Sequence, residues 1–143
     1  MILSDKETEL LKLLKNDSRK TVAALARDLG LSRPTVQSML DKLESVAIKR
    51  YTVEFKPEFN DKFIRAFVFM IRDPKHWQRV RESMLKISEV RSIHTVTGQY
   101  DAIVELRVDS GNFSRMDQIL NEIVMMEGVI RTHTTMVLTS MEM

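Results

Sequence analysis

The chain has 143 residues, 43% of them hydrophobic and 29% charged, with a net charge of only +2. This is enough apolar material for one medium core or two small ones, and it excludes a disordered chain. There is no cysteine, so disulfides, thiolate–metal sites and cysteine nucleophiles are excluded too. No apolar run approaches the ~20 residues of a membrane span. The stretch Met1–Glu9 carries acids and no secretory pattern, and a cytoplasmic location is expected.

Ser4 and Asp5 are good N-cap residues. Glu7, Leu10, Leu11 and Leu14 then recur at helical spacing, which predicts a helix from Asp5 to Lys15, stopped at Asn16-Asp17-Ser18. Thr21 caps a second helix whose apolar stripe is Val22, Leu25, Ala26 and Leu29. Gly30 ends it, a residue suited to the left-handed conformation. Ser32 caps a third helix, Pro34 sits in its first turn, where no amide donor is needed, and Val36, Met39, Leu40 and Leu43 form its stripe. Two short helices meeting across Gly30-Leu31-Ser32 make a helix-turn-helix pattern. Ala26 allows a close crossing, Gly30 the turn, and Val36 anchors the second helix.

The flank of the third helix away from that stripe carries Arg33, Thr35, Gln37, Ser38, Asp41 and Lys42. Arginine pairs with guanine, glutamine with adenine, and hydroxyls with either. The N-terminal half of such a helix meets base edges. Arg33, Thr35, Gln37 and Ser38 are therefore candidate base contacts, and Lys20, Thr21, Ser32, Lys42, Lys49 and Arg50 candidate phosphate contacts. The charge balance leans the same way. Residues 1–57 hold 11 Lys and Arg against 8 Asp and Glu, while residues 58–143 hold 11 against 12.

Tyr51–Phe55 alternates as a short strand, and Pro57 with Asn60-Asp61 reads as a hinge. Phe63–Arg72 is a nearly continuous apolar run, a buried strand. Trp77, Val80, Met84 and Ile87 follow a helical stripe. Ser92–Thr97 and Asp101–Val108 read as strands around the Gly98-Gln99 turn. Phe113, Met116, Ile119, Leu120, Ile123 and Val124 mark a helix ended at Glu127-Gly128, and Val129–Leu138 is a last strand. The order β-α-β-β-α-β predicts an α+β, ferredoxin-like domain with both helices on one face of an antiparallel sheet. The strands Phe63–Arg72 and Asp101–Val108 read as apolar on both sides. The bare face is expected to be buried against a second copy. The resulting division is a helix-turn-helix domain over residues 1–50, a linker strand and hinge over 51–62, and a dimerisation domain over 63–143.

This arrangement resembles the Lrp/AsnC (feast/famine) transcription regulators over nearly the whole chain. The resemblance is carried by Leu3-Ser4-Asp5, Asn16–Arg19, Leu25-Ala26, Gly30-Leu31-Ser32, Leu43-Glu44 and Tyr51-Thr52, then by Thr97-Gly98-Gln99-Tyr100-Asp101, Gly128-Val129, Arg131-Thr132 and Thr134. Departures are Ser38 and Met39 where basic residues are frequent, Ala47 where Gly commonly follows the helix, and Gln99 where Asp is frequent. The resemblance implies double-stranded DNA as partner and a homodimer, often assembled to an octamer. It also implies an amino-acid-type effector at Gly98, Gln99, Tyr100 and Asp101 with Thr132 and Thr134. No cofactor is implied.

Two other functions are weighed. One is a non-DNA small-molecule-sensing regulatory subunit that docks on a protein through the N-terminal helices. The other is an enzyme, whose only candidate bases or metal ligands are His76, His94 and His133. They lie on separate elements without His-x-x-x-His spacing, though His94 and His133 could approach from two strands. A plain turn in which Asp101 caps backbone amides competes with the effector reading.

Overall fold

Ser4 opens the first helix in the computed structural model, which describes residues 2–60 and 62–141; Met1, the hinge residue Asp61, Glu142 and Met143 lie outside the described residues. Helix α1 spans Asp5–Asn16. The Ser4 side chain accepts from the Glu7 amide, and Glu7 reaches back to the Ser4 amide, a reciprocal capping box. Helix α2 spans Val22–Leu29, capped by Thr21 and ended by Gly30 at φ 66°. Helix α3 spans Arg33–Val46, capped by Ser32 with Pro34 in its first turn. Leu10, Leu14, Leu25, Ala26, Leu29, Val36, Leu40 and Leu43 form the core of this three-helix unit.

Residues 51–56 form no strand. Alternation alone does not make a strand of this segment, and the four strands among the described residues pair with one another. A strand without a neighbour leaves its amides and carbonyls to water. In its place a four-residue helix α4, Pro57–Asn60, follows.

The second unit begins at Phe55. Its strands are β1 (Phe63–Arg72), β2 (Val90–Thr95), β3 (Ala102–Asp109) and β4 (Val129–Met136), with α5 (Trp77–Leu85) after β1 and α6 (Phe113–Val124) after β3. The sheet is antiparallel with order β2-β3-β1-β4, the ferredoxin-like topology. Boundaries differ slightly from the sequence reading. β2 starts two residues earlier and stops at Thr95, β4 stops at Met136, and α6 ends at Val124, before Glu127-Gly128.

Ala66, Val68 and Met70 of β1 and Ala102, Val104, Leu106 and Val108 of β3 point into a core closed by Val80, Met84, Met116, Ile119 and Ile123. The opposite face carries Phe63, Arg65, Phe67, Phe69 and Ile71 from β1, beside Ile103, Glu105 and Arg107 from β3. The expectation that Asp101–Val108 is apolar on both sides is corrected, because its open side has one apolar residue, Ile103. The residues Glu105 and Arg107 are tolerated there because that face is not inside this chain's core. Arg65 reaches Glu105 through Nε at 3.1 Å and Nη2 at 2.9 Å, and Ser92 Oγ donates to the same carboxylate at 3.3 Å.

Candidate DNA-reading and effector sites

The inner side of α3 is fixed by Val36, Leu40 and Leu43, all buried. Arg33, Thr35, Gln37, Ser38, Asp41 and Lys42 are exposed on its other flank. The candidate contacts are held differently. Ser32 Oγ accepts from the Thr35 amide at 3.3 Å and lies 2.7 Å from Thr35 Oγ1, so both hydroxyls are engaged at the helix cap. Gln37 Nε2 donates to Asp41 Oδ1 at 2.9 Å, one turn along the same helix. Thr21 accepts from the Ala24 amide at 3.1 Å. Lys20 pairs with Asp28 at 2.5 Å. Arg33 faces an open cleft of about 620 Å³ beside the Gly30 corner, shared with Ala23, Arg27 and Ser32. Lys49 and Arg50 are exposed beyond the end of α3.

Lys42 turns from the exposed flank to Glu7 of α1, donating to Oε1. Glu7 is the buried charged side chain among the described residues. Its carboxyl is held below the usual range by the Lys42 hydrogen bond first and then by the Ser4 amide, against the opposing effect of burial. Sequence reasoning placed Glu7 on the apolar stripe but missed its partner. The Ser4-x-x-Glu7 spacing signals the cap, and nothing local signals Lys42, 35 positions away.

In the second unit the Gly98–Asp101 turn is built on the end of β1. Gly98 has φ 113°. The Asp101 amide donates to the Met70 carbonyl at 2.9 Å, and Asp101 Oδ2 accepts from the Arg72 amide at 3.0 Å. One carboxylate oxygen of Asp101 thus fastens the turn to the irregular step between Ile71 and Arg72. Tyr100 folds over the open sheet face, its ring 5.3 Å from Phe69 and 6.4 Å from His133 between centroids. Phe69 and His133 pair across β1 and β4, so three rings lie together on that face. The sequence singled out His133 only as a candidate base or metal ligand, and placed neither it nor Phe69 at the effector turn. Their signal is the two-residue period, which puts both on the face opposite Met70.

Thr132 and Thr134 pair with Met70 and Val68, whose side chains enter the helix-covered core. They point to the face opposite Tyr100 and His133, because side chains alternate along a strand. The structure brings together Gly98, Gln99, Tyr100 and Asp101, and leaves the two threonines on the other side of β4.

His94 and His133 do not approach. β2 and β4 are the two edges of the sheet, three strand spacings or roughly 14 Å apart. His76 lies elsewhere again, its Nδ1 3.0 Å from Asp73 and its Nε2 3.3 Å from Glu127.

Profile comparison matches residues 3–44 to the AsnC-type helix-turn-helix domain and residues 65–142 to the Lrp/AsnC ligand binding domain. The chain belongs to the Lrp/AsnC family. The transcriptional regulator FL11 of Pyrococcus furiosus is 28% identical over 138 residues, covering 96% of this chain and 90% of FL11. The AsnC structure of E. coli superposes with a TM-score of 0.85 at 19% identity, covering 100% of this chain and 97% of AsnC. A transcriptional regulator of Neisseria meningitidis solved in complex with L-Met superposes with a TM-score of 0.83 at 22% identity, covering 99% of this chain and 94% of that one. These two structures share the fold. As a member of the Lrp/AsnC family the chain is a DNA-binding transcription regulator modulated by a small molecule, and not an enzyme. Among the described residues no helix is long and apolar enough to cross a membrane.

Proposed function

We propose that this Lrp/AsnC regulator acts in the cytoplasm as a homodimer, that it reads a two-fold operator with α3, and that an amino acid bound at the Gly98–Asp101 turn changes its assembly. The observation that carries the reading is the α3 flank itself, with Arg33, Thr35, Gln37 and Ser38 exposed on a helix whose other side is locked by Val36, Leu40 and Leu43. Arg33 and Gln37 suit base edges. Lys20, Thr21, Ser32, Lys49 and Arg50 are assigned to phosphates. The functional division is a reader over residues 1–50, a linker over 51–62 and an assembly and effector domain over 63–143. Docking of the N-terminal helices on a protein is not favoured, since those helices match a DNA-binding domain.

The second copy is assigned to the open sheet face. Phe67, Phe69, Ile71 and Ile103 lie on it, apolar side chains that a covering chain would take out of water. The effector is assigned to Gly98, Gln99, Tyr100 and Asp101, with Phe69 and His133 beside them. The L-Met held by the Neisseria regulator supports the amino-acid class. An α-ammonium group suits the Asp101 carboxylate, and a carboxylate suits backbone amides at a glycine turn.

The test is binding of full-length protein to a randomised duplex library at low salt, with mass photometry alongside. Enrichment of a pseudo-palindrome with half-sites about one helical turn apart is expected. Absence of any enriched sequence overturns the DNA reading. Mass photometry separates dimer from octamer, and repeating it with each of the twenty amino acids identifies the effector.

A further inference from the structure

Two lysines near the reader are paired with acids, but in different surroundings. Lys20 is half-buried, but its acid Asp28 is exposed, with 38% of its side-chain surface open. Such a pair contributes little and exchanges readily for another anion. Lys42 instead meets Glu7, whose side chain is only 9% open. The capping box fixes the Glu7 carboxylate, because Oε2 accepts from the Ser4 amide at 2.8 Å and Oε1 is left toward α3. Removing the ammonium would strand a charge in the packed joint between α1 and α3, which costs more than an exposed ammonium–phosphate contact contributes.

We infer that Glu7 withholds Lys42 from the DNA backbone, so that α3 meets the duplex through its base-reading flank without an added, sequence-independent phosphate contact. Lys42 is then a positioning residue that ties the reading helix to α1. This rests on α3 being the reader. It divides the basic residues around the reader by burial of their partners. Lys20 is free to change partner on binding, and Lys42 is not.

The salt dependence of DNA affinity tests this, because each phosphate neutralised adds about 0.9 to the slope of log K against log salt, and a merely structural role leaves that slope unmoved. The full chain is titrated with its selected duplex and with a random-sequence duplex. Lys20→Met is expected to lower the slope by about 0.9 per protomer and Lys42→Met to leave it unchanged. Glu7→Gln keeps an acceptor for the Ser4 amide but not the charge that holds Lys42. It is expected to steepen the slope by about 0.9 per protomer, roughly a 3-fold greater loss of affinity for each reader between 50 and 200 mM salt. The double variant Glu7→Gln/Lys42→Met is expected to return to the wild-type slope. A shallower slope for Lys42→Met, or an unchanged one for Glu7→Gln, overturns the inference, and Lys42→Met alone decides it if Glu7→Gln does not fold. Arg33→Ala measured in parallel keeps the two readings apart. If it leaves base preference untouched, α3 is not the reader. If it changes base preference while Glu7→Gln leaves the slope alone, only the role of Glu7 fails.

Discussion

Asp101 fastens a turn, and in the proposed effector reading its charge also meets the ligand; substitution separates the two. Oδ2 accepts from the Arg72 amide, so Asp101→Ala leaves a partly buried donor unpaired, at a cost of about 1–3 kcal/mol. Asp101→Asn keeps an acceptor and loses the charge. If the charge holds an α-ammonium group, Asp101→Asn retains wild-type thermal stability to within about 1 kcal/mol and the dimer, yet no longer changes assembly on addition of the amino acid. Mass photometry and thermal melts check both halves, and an unchanged ligand response in Asp101→Asn removes Asp101 from the site. At the reader, Arg33→Ala is expected to cost ~1–3 kcal/mol and relax one base position. An equal loss on all duplexes would reassign Arg33 to phosphate. The pair Glu89–Arg115 contributes to acid sensitivity. Arg115 grips Glu89 with both Nε and Nη2, at 2.6 and 3.0 Å, and this holds the Glu89 carboxyl down at about 2. The folded state thus binds the Glu89 proton less readily than the unfolded chain. The contribution is complete above the ordinary pKa of 4.5 and is lost as pH falls from there toward 2. Denaturant titrations at pH 7 and pH 3 should show wild type losing more stability than Arg115→Met over that interval.

Whole elements were the part of the fold most open to sequence reasoning, for identifiable reasons. The helices α1 to α3 announce themselves through caps at Ser4, Thr21 and Ser32 and through apolar stripes that end at a glycine or a polar stop. Strand β1 does so through an uninterrupted apolar run bounded by Asp73-Pro74. Tyr51–Phe55 misleads because alternation reports only a propensity to extend, whereas a strand also needs a neighbour. The face to which Thr132 and Thr134 point depends on register, which the pairing with β1 decides and no local motif does. The same limit hid Glu7–Lys42 and the ring cluster of Phe69, Tyr100 and His133. Gly128 shows an element junction with little tolerance. Its φ is 103°, and a Cβ built there would lie 2.3 Å from His76 Cβ. Its carbonyl also accepts from the Asp73 amide at 2.8 Å, so the start of β4 cannot easily move away. Gly128→Ala should therefore destabilise the chain by about 3 kcal/mol, combining backbone strain with overpacking, measurable by urea denaturation. Wild-type stability in that variant would mean that the loop before α5 can yield.

For the whole molecule, the α+β unit presents one face that its own helices cover and one that they do not. The covered face is apolar along its two central strands, where Ala66, Val68, Met70, Val104 and Leu106 are fully buried. The open face mixes aromatic residues with Arg65, Glu105 and Arg107, a composition closer to an interface than to a core. Phe67 lies in the middle of it, with Glu105 opposite on β3 and Thr135 on β4. Placing a carboxylate at that point would put a charge in the centre of any two-fold contact while leaving the helix-side core untouched. Phe67→Asp is therefore expected to remain folded by circular dichroism and to run as a monomer in mass photometry. A single reader then binds one half-site only, and losing the link between two readers should weaken operator binding by about 100-fold or more. Binding to an isolated half-site should stay near the wild-type value per reader. A Phe67→Asp protein that remains dimeric would move the contact between copies to another surface. The exposed edge of β4 would then be the place to look, because its outward-facing amides and carbonyls can pair with a strand from a second chain.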